Sequence, residues 1–397
     1  MKIAFLCSNL EPGRDGVGDY TRRLAGEFIR QGHPSLVIAL NDWHIAATLI
    51  EVQESDGNPV STLRLPSIMP WKERIVEARR MLEGFHPDWM SFQFVTFGFH
   101  RKGLCAGLGG KLTAINSRTA WHVMFHELWL GLEEKTPFKH RVLGGLQRIF
   151  IHDMIRRLRP QVVHTQTEPY CQVLNREMIT ASVLPLISNV PHVAGDGWTG
   201  LLEPLLTDSD GQRPERSKLY LAGIFGAVHP EWKAEQAVKV LLPLVQKFNK
   251  RLVMVFLGRN NLTPEKFKAL RSILHSRADV VSTGERTMAE ISQILQSLDL
   301  GLATSPRQAI QKSGSVAAML EHGLPVLVTR DDWHLRGINT QPDETSFPLL
   351  SPQQFGLLNT LPTREVVTAG ESRLKRVAGQ MLAELRAKAS TIESGRT

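Results

Sequence analysis

The first half of the chain alternates short apolar runs with longer stretches in which apolar residues recur every three or four positions. Residues 19–32 show the second pattern: Leu24, Phe28 and Ile29 fall on one helical face, and the pattern ends at Gly32. The short runs predict buried strands at 2–7, 35–40, 88–94, 119–125 and 161–165. Strands that alternate with helices in this way predict parallel βαβ units and a doubly wound sheet.

The alternation resumes after a polar segment rich in turn-forming residues, TDSDGQRPERSK. From residue 218 onward the sequence predicts strands at 251–257, 279–282, 299–303 and 325–329, and helices at 264–276, 287–297 and 314–322.

We therefore expect an α/β protein with an N-terminal Rossmann-like domain at 1–195, a linker at 196–217 and a C-terminal Rossmann-like domain at 218–370. Residues 371–397 predict a C-terminal helix and polar tail, and this helix is able to pack back on the N-terminal domain. Two such domains joined by one linker usually hold a ligand in the cleft between them.

The composition is that of a globular protein. Of 397 residues, 42% are hydrophobic and 22% are charged, which excludes a disordered or fibrous chain. The three cysteines, Cys7, Cys105 and Cys171, are too few and too scattered for a disulfide scaffold or a zinc cluster. The sequence shows no signal peptide and no apolar run of the ~20 residues that cross a membrane, so we expect a cytoplasmic protein.

The net charge of +8 favours anionic ligands or an anionic surface. Basic residues are not interleaved with aromatic ones, and we expect no nucleic-acid partner. Residues 139–160 hold six Lys or Arg against one Asp, with Leu146, Ile149, Phe150 and Met154 or Ile155 at helical spacing. Such a helix can lie peripherally on an anionic bilayer, where each basic residue adds about 1 kcal/mol. The alternative is a helix that buries its apolar face in the N-terminal domain.

Two segments of the first half carry candidate binding residues. Gly16 and Gly18 lie between the first strand and the first helix, where glycines let the backbone approach an anion at the helix N-terminus. The alternative is an ordinary strand-to-helix turn, because the spacing is not G-x-G-x-x-G. His126 follows strand 119–125 at the edge of the sheet where α/β proteins bind ligands, whereas His122 is expected to face inward. For His126, too, a core position is the alternative.

Two further segments of the second half suit an anion. Lys233 opens a helix after the glycine-containing loop at 226–233 and could bind phosphate as a point charge, or be a solvated surface lysine. Lys312 precedes a helix start formed by Ser313, Gly314 and Ser315, whose free N–H groups would complete an anion site. A capped helix without a ligand is the alternative there.

Several segments match the motifs of one enzyme class in their order and spacing. In the first half these are EPGRDGVGDYTRRLAGEFIRQGH, HPDWMSFQF and MFHEL; in the second they are IFGAVHPEWKAE, STGERTMAEISQIL and HGLPVLVTR. Over most of its length the chain resembles a GT-B glycosyltransferase, in particular the retaining, sugar-nucleotide-dependent enzymes of glycosyltransferase family 4. The resemblance implies two Rossmann-like domains that face each other across a cleft, the first for the acceptor and the second for the sugar nucleotide.

The resemblance also implies a reaction: transfer of a sugar from a nucleoside diphosphate sugar to a glycan, lipid-linked or small-molecule acceptor, with retention. No metal and no other cofactor is expected, since no acidic ligand cluster is visible. Each candidate residue takes a role by resemblance: Gly16 and Gly18 near the donor diphosphate, His126 on the transferred sugar, Lys233 on the diphosphate, Lys312, Ser313, Gly314 and Ser315 on the phosphates or sugar, and Gly284 and Glu285 at the base.

The sequence departs from the family at three positions. The family carries two glutamates eight positions apart, and the equivalent positions here are Ile310 and Ala318. Ala227 stands where the phosphate loop of the family has an arginine. These departures leave other functions open: a non-catalytic relative that binds nucleotide or glycan, a subunit that depends on a partner, and a sugar-nucleotide epimerase.

Overall fold

The computed structural model describes residues 1–206, 211–274, 277–338, 349–365 and 372–394. The chain forms two compact units. The first contains Met1–Asn189, the short segment 334–338 and the C-terminal helix. The second contains Val190–Trp333 and the described residues 349–365.

The first unit is built on one eight-stranded sheet with the order β3-β4-β2-β1-β5-β6-β7-β8. All its neighbouring strands are parallel except β3 and β4. The strands are β1 Ile3–Cys7, β2 Ser35–Asp42, β3 Leu49–Ser55, β4 Asn58–Pro66, β5 Trp89–Phe94, β6 Ala120–Phe125, β7 Val162–Thr165 and β8 Ser182–Val183. The helices between them are α1 Gly16–Arg30, α2 Trp71–Phe85, α3 Leu108–Ile115, α4 Phe138–Leu158 and α5 Glu168–Arg176.

The second unit is a six-stranded parallel sheet with the order β11-β10-β9-β12-β13-β14. Its strands are β9 Leu219–Phe225, β10 Arg251–Leu257, β11 Asp279–Gly284, β12 Leu300–Ala303, β13 Val326–Val328 and β14 Leu349–Leu350. Its helices are α6 Glu203–Leu206, α7 Ala234–Lys247, α8 Pro264–Leu274, α9 Met288–Ser297, α10 Gly314–Glu321 and α11 Pro352–Gly356. Alternate strand residues face two cores, as in Leu221 on one side and Tyr220 and Ala222 on the other, so helices cover both faces.

The C-terminal helix α12, Arg373–Ser394, lies on the first unit, against α1 and β7. Ala378, Met381 and Leu385 recur at helical spacing and are fully buried. The first unit is therefore made from both ends of the described chain.

The boundary between the units differs from the predicted one. The units divide between Asn189 and Val190, and much of the segment expected to be a linker belongs to the second unit. Residues 198–202 form a π-helical turn that contacts α9, with Leu202 fully buried and Trp198 packed on the same core. The apolar side chains of this turn explain the difference, because burying them is more favourable in free energy than leaving them exposed in a linker.

A hairpin at the edge of the first sheet was not predicted. Strands β3 and β4 pair antiparallel around Asp56 and Gly57, both of which have positive φ angles. Asp-Gly is a strong signal for a two-residue hairpin turn. Ile50 and Val52 are exposed, so the apolar face of β3 points into solvent. The alternation of apolar and polar residues along this strand would therefore predict the wrong buried face.

Close packing fixes the loop that follows β6. The loop at 129–132 crosses α4 at Gly144, where a Cβ atom would overlap the carbonyl oxygen of Leu130. Gln147, also fully buried, accepts a hydrogen bond from the Leu130 N–H at 2.8 Å. The neighbouring Gly145 has open space around its Cβ position.

Two substitutions in α4 should therefore have opposite effects on stability. We expect Gly144→Ala to destabilise the protein by about 1–3 kcal/mol, because the backbone of the loop must move. Gly145→Ala, one position along the same helix, should stabilise it by up to about 1 kcal/mol through helix propensity. Urea unfolding of both variants measures the difference, and equal effects would show that the loop does not press on the helix.

Candidate functional site

In the second unit, three loops meet at the carboxyl ends of β9, β12 and β13. The His229 N–H donates to Thr304 Oγ1 at 3.2 Å, which ties the loop after β9 to the loop after β12. Gly226 has a φ of +77°, and a Cβ on it would lie 3.0 Å from Ser315 Oγ. The loop at 226–233 thus lies directly against the start of α10, and the sequence-predicted anion segments of this unit are neighbours.

The start of α10 is capped by a side chain, and two further amides of its first turn lack an acceptor within the helix. Ser313 Oγ accepts from the Val316 N–H at 3.4 Å and so satisfies one N–H of the first turn. The N–H groups of Gly314 and Ser315 belong to the same turn and have no partner inside the helix. Lys312 is half-buried beside them, and Lys233 is exposed at the N-cap of α7. Two lysines and a helix N-terminus thus border one edge of the sheet.

A buried arginine that was not assigned a role from the sequence holds this loop cluster together. Arg330 follows β13, and its guanidinium binds Glu231 at 2.7 Å and Asp332 at 2.9 Å. It also contacts His229 Nδ1 at 2.6 Å. Because two carboxylates compensate its charge, Arg330 positions the loop rather than adding a free cation. In the sequence, the indication of its role was its place at the end of the HGLPVLVTR segment.

The two positions that the sequence resemblance aligns with glutamates lie in the core. Ile310 and Ala318 are fully buried in the apolar cluster of the second unit, so neither position could present a carboxylate to the edge of the sheet without disturbing that core. The adjacent Gln311 is 4% exposed, and its Oε1 has no hydrogen-bond donor among the described residues. A buried acceptor without a partner is costly, which suits a ligand hydroxyl.

Gly284 and Glu285 lie at the end of β11. Gly284 has a φ of +68°, a conformation that favours glycine, and it is exposed. The Glu285 carboxylate accepts a hydrogen bond from Arg259 Nε in the loop after β10. Both side chains are more than half exposed, so this pair is a surface feature of the same sheet edge.

In the first unit, the glycines at the start of α1 have local structural roles. Asp15 is the N-cap, and its Oδ1 accepts from the Gly18 N–H at 2.6 Å, so helix α1 begins at Gly16, three residues before the predicted start. A Cβ on Gly18 would lie 2.6 Å from the Asn9 carbonyl oxygen, and this contact requires glycine. Gly16 accepts a hydrogen bond from Asn189 Nδ2 through its carbonyl oxygen at 3.3 Å.

His126 is buried just beyond β6 and has partners at both ring nitrogens. Nε2 contacts Gln93 Oε1 at 2.9 Å, and Nδ1 accepts from Gln166 Nε2 at 2.8 Å. The ring of Tyr20, from α1, packs edge-on at 4.9 Å. Burial lowers the pKa of His126 to about 3, so the imidazole is neutral at physiological pH and carries its proton on Nε2.

The partners of His126 continue as a buried row of side chains across the sheet. Gln93 Nε2 donates to Ser91 Oγ at 2.8 Å, and Ser91 contacts His122 Nδ1 at 2.8 Å. His122 Nε2 contacts His164 Nδ1 at 3.0 Å. These four side chains are at most 1% exposed.

The row ends at the C-terminal helix. His164 Nε2 contacts Glu384 Oε2 at 2.8 Å, and Ser182 Oγ donates to the same oxygen at 3.0 Å. Partial burial would raise the pKa of Glu384, but the hydrogen bonds, chiefly from His164, outweigh it and lower the pKa to about 2. A carboxylate only accepts, so His164 Nε2 donates to Glu384. We call this hydrogen-bonded row, from Gln166 to Glu384, the buried polar row.

The described residues contain no group of three or more His, Cys, Asp or Glu side chains arranged to hold a metal ion. Within the same residues, no helix is both long enough and apolar enough to cross a membrane.

No model of a known protein family matches the sequence, and no curated protein matches it. Solved structures do match over nearly the whole chain. Anabaena HepE, in complex with UDP and glucose, is 16% identical with a TM-score of 0.51, over 99% of this chain and 100% of that one. The α,α-trehalose 6-phosphate synthase of Burkholderia multivorans is 9% identical with a TM-score of 0.52, over 100% and 96%. A Listeria monocytogenes protein assigned as a UDP-N-acetylglucosamine 2-epimerase is 13% identical with a TM-score of 0.51, over 98% and 97%.

The chain has the GT-B fold. The prediction of an α/β protein with two Rossmann-like domains is confirmed. Within this fold the predicted site residues form two sets. Gly16, Gly18 and His126 lie in the first unit, whereas Lys233, Gly284, Glu285 and the residues from Lys312 to Ser315 lie in the second.

The buried histidines should make the GT-B fold sensitive to acid. Burial holds the pKa of His122 and of His126 below the unfolded value of about 6.5. As the pH falls below about 6.5, the unfolded chain binds more protons than the folded chain, and stability decreases by up to about 1.4 kcal/mol per pH unit for each histidine. The low pKa of Glu384 adds a further loss as the pH falls from about 4.5 toward 2.

Urea unfolding between pH 7 and pH 5 measures this loss. We expect His122→Gln to lower the slope of stability against pH by about one proton, whatever its effect on stability at pH 7. The control is Ser91→Ala, which removes the hydroxyl that contacts His122 but no titratable group and should leave the slope unchanged. An unaltered slope in the His122 variant would show that this imidazole takes up protons in the folded state.

Proposed function

We propose that the protein transfers a sugar from a nucleoside diphosphate sugar to an acceptor, with retention. One observation carries the proposal: the loop that contains Gly226 and the start of α10 meet at the carboxyl edge of the second sheet, with Lys233 and Lys312 beside them. Ligands of open α/β sheets bind at this edge. The GT-B fold and the UDP bound to Anabaena HepE support a nucleotide sugar as the ligand.

The chemistry of such a transfer is mainly electrostatic. As the bond from the sugar to the diphosphate breaks, negative charge grows on the departing diphosphate, and donors that are already in place stabilise it. Lys233, Lys312 and the first amides of α10 would supply those donors. Arg330 would act through Glu231, by keeping the loop after β9 in position.

Other residues would bind the rest of the donor. The orphaned Oε1 of Gln311 would accept from a sugar or ribose hydroxyl, in place of the glutamates that the sequence lacks. Gly284 and Glu285 would lie at the base. Gly16 and Gly18 would lie near the diphosphate, but the Gly18 N–H already donates to Asp15 and would not bind it. His126 would contact the transferred sugar by exchanging its Gln166 or Gln93 partner for a sugar hydroxyl.

A second candidate function is binding without transfer, alone or as a subunit that depends on a partner. The burial of Ile310 and Ala318 favours it, because no carboxylate can occupy either position. Epimerisation of a sugar nucleotide is the third, supported by the likeness to the Listeria protein. Product analysis separates the three: transfer needs an acceptor, epimerisation does not, and binding alone gives neither product.

The donor site is tested by the two lysines. In a thermal-shift and calorimetric screen against UDP, GDP, ADP and dTDP and their sugars, we expect one nucleotide class to bind. Lys233→Ala and Lys312→Ala should each weaken that binding by about 1–3 kcal/mol, the range of a charge-assisted hydrogen bond. Lys239→Ala, an exposed lysine on α7, is the matched control. Unchanged affinity in both test variants would remove the second sheet edge as the donor site.

We also propose that α4 docks the protein on an anionic membrane surface. The helix buries one face, which includes Ile151 and Met154, in the first unit. It leaves a second apolar stripe in solvent: Phe138, Val142, Leu146 and Ile149 are 45–77% exposed and follow helical spacing. Lys139 and Arg141 lie beside this stripe, as expected for a helix that rests in a bilayer interface.

Vesicle co-sedimentation tests this docking. We expect binding to vesicles that contain phosphatidylserine, with a loss at high salt, and no binding to phosphatidylcholine alone. Phe138→Gln/Ile149→Gln should weaken it about tenfold or more, because each apolar side chain contributes on the order of 1.5–3 kcal/mol when buried. The control is Ile68→Gln/Val76→Gln, which removes two equally exposed apolar residues elsewhere in the first unit. Equal loss in both double variants would reject α4 as the docking helix.

A further inference from the structure

A cavity of about 330 Å³ lies in the first unit, and none of the residues assigned to the donor lines it. Its walls are the loop at 129–132, helix α4, the end of α5 and the segment 334–338 that returns from the second half of the chain. Four arginines border the cavity against one acid, Glu177: Arg141, Arg148, Arg176 and Arg336.

Most of this positive charge is uncompensated. Arg148 pairs with Glu177 at 2.8 Å. Arg176 donates to the Gly337 carbonyl oxygen at 2.6 Å and Arg336 to that of Glu133 at 2.9 Å, and both acceptors are neutral. Among the ion pairs between described residues, neither of these two arginines nor Arg141 has a carboxylate. Like charges brought together in this way repel one another, and a bound anion would relieve that repulsion.

The walls of the cavity are fixed by backbone contacts. The loop at 129–132 is pressed on α4 at Gly144 and tied to Gln147. The returning segment pairs with the same loop: the Arg336 N–H donates to the Leu132 carbonyl oxygen at 2.8 Å, and the Glu134 N–H donates to that of His334 at 3.0 Å. Arg336 is therefore held in place from the main chain, which lowers the entropic cost of binding a ligand.

The geometry points to a binding site for the phosphate or diphosphate group of the acceptor substrate. Planar guanidinium groups match phosphate oxygens in pairs, and several of them can share one multiply charged anion. Trp129, three residues after His126, also lines the cavity and offers an apolar surface to the rest of the ligand. The assignment of this phosphate to the acceptor rests on the function proposed above, whereas the anion site itself does not.

Calorimetry with inorganic pyrophosphate tests the site. The background is the Lys233→Ala/Lys312→Ala chain, which removes the proposed donor cations of the second unit. We expect pyrophosphate to bind to this chain, and the further change Arg141→Gln/Arg336→Gln to weaken binding at least about tenfold. Lys139→Gln/Arg156→Gln removes the same charge from exposed positions of α4 and should have little effect. No binding to the background chain, or equal loss in both double variants, overturns the proposal.

A second variant closes the cavity without changing its charge. Gly145 lines the cavity and has open space around its Cβ position, so Gly145→Leu would fill the cavity while the helix stays intact. We expect the same loss of pyrophosphate binding, with a urea midpoint no lower than that of the unsubstituted chain. Retained affinity would show that pyrophosphate binds outside the cavity, which also overturns the proposal.

Vesicle binding, compared with pyrophosphate binding, identifies the kind of molecule that carries the phosphate. A preference for vesicles with phosphatidic acid over phosphatidylglycerol, lost in Arg141→Gln/Arg336→Gln, would indicate a lipid phosphate. Pyrophosphate binding without that preference would indicate a soluble phosphorylated acceptor. The two proposals also fail separately: unchanged UDP affinity in the lysine variants removes the donor site, and unchanged pyrophosphate affinity in the arginine variants removes the acceptor site.

Discussion

Six hydrogen bonds run without a break from Gln166 to Glu384 and join one edge of the first sheet to the C-terminal helix. Every member except the partly exposed Glu384 is a buried polar group, so each of these needs its neighbour. Loss of one partner leaves a buried donor or acceptor unsatisfied, at about 1–3 kcal/mol. The row thereby links His126 to a carboxylate on α12, and the first unit is complete only with that helix in place.

At the carboxyl edge of the second sheet, one positive charge is compensated by carboxylates and another is left exposed. Three cationic side chains lie near this edge: Lys233, Lys312 and Arg330. The fold neutralises the last of them, because Arg330 is buried between Glu231 and Asp332. Lys233 remains exposed beside the amides of α10. Buried and compensated charge thus positions the loop, while exposed charge is left for a ligand.

Periodicity alone predicted most strands of both sheets, because buried parallel strands read as continuous apolar runs. It also placed His126 at a sheet edge and Lys312 at a helix start. It could not predict that His122 and Ser91 would become neighbours, since that depends on the register between β5 and β6. Arg336 was missed for a similar reason: its contacts are with a loop some 200 residues earlier in the chain. The Asp56–Gly57 turn, by contrast, was missed although Asp-Gly is a local signal for a hairpin.

The return of α12 to the first unit reverses the order in which the two units can be completed during synthesis. Domains usually fold as they leave the ribosome, the N-terminal one first. Here His164 emerges 220 residues before Glu384, so this buried imidazole lacks its carboxylate partner until the second unit has been translated. The half of the protein that is made later is the half that can finish first, and the earlier half passes that interval without the helix that packs on α1 and β7.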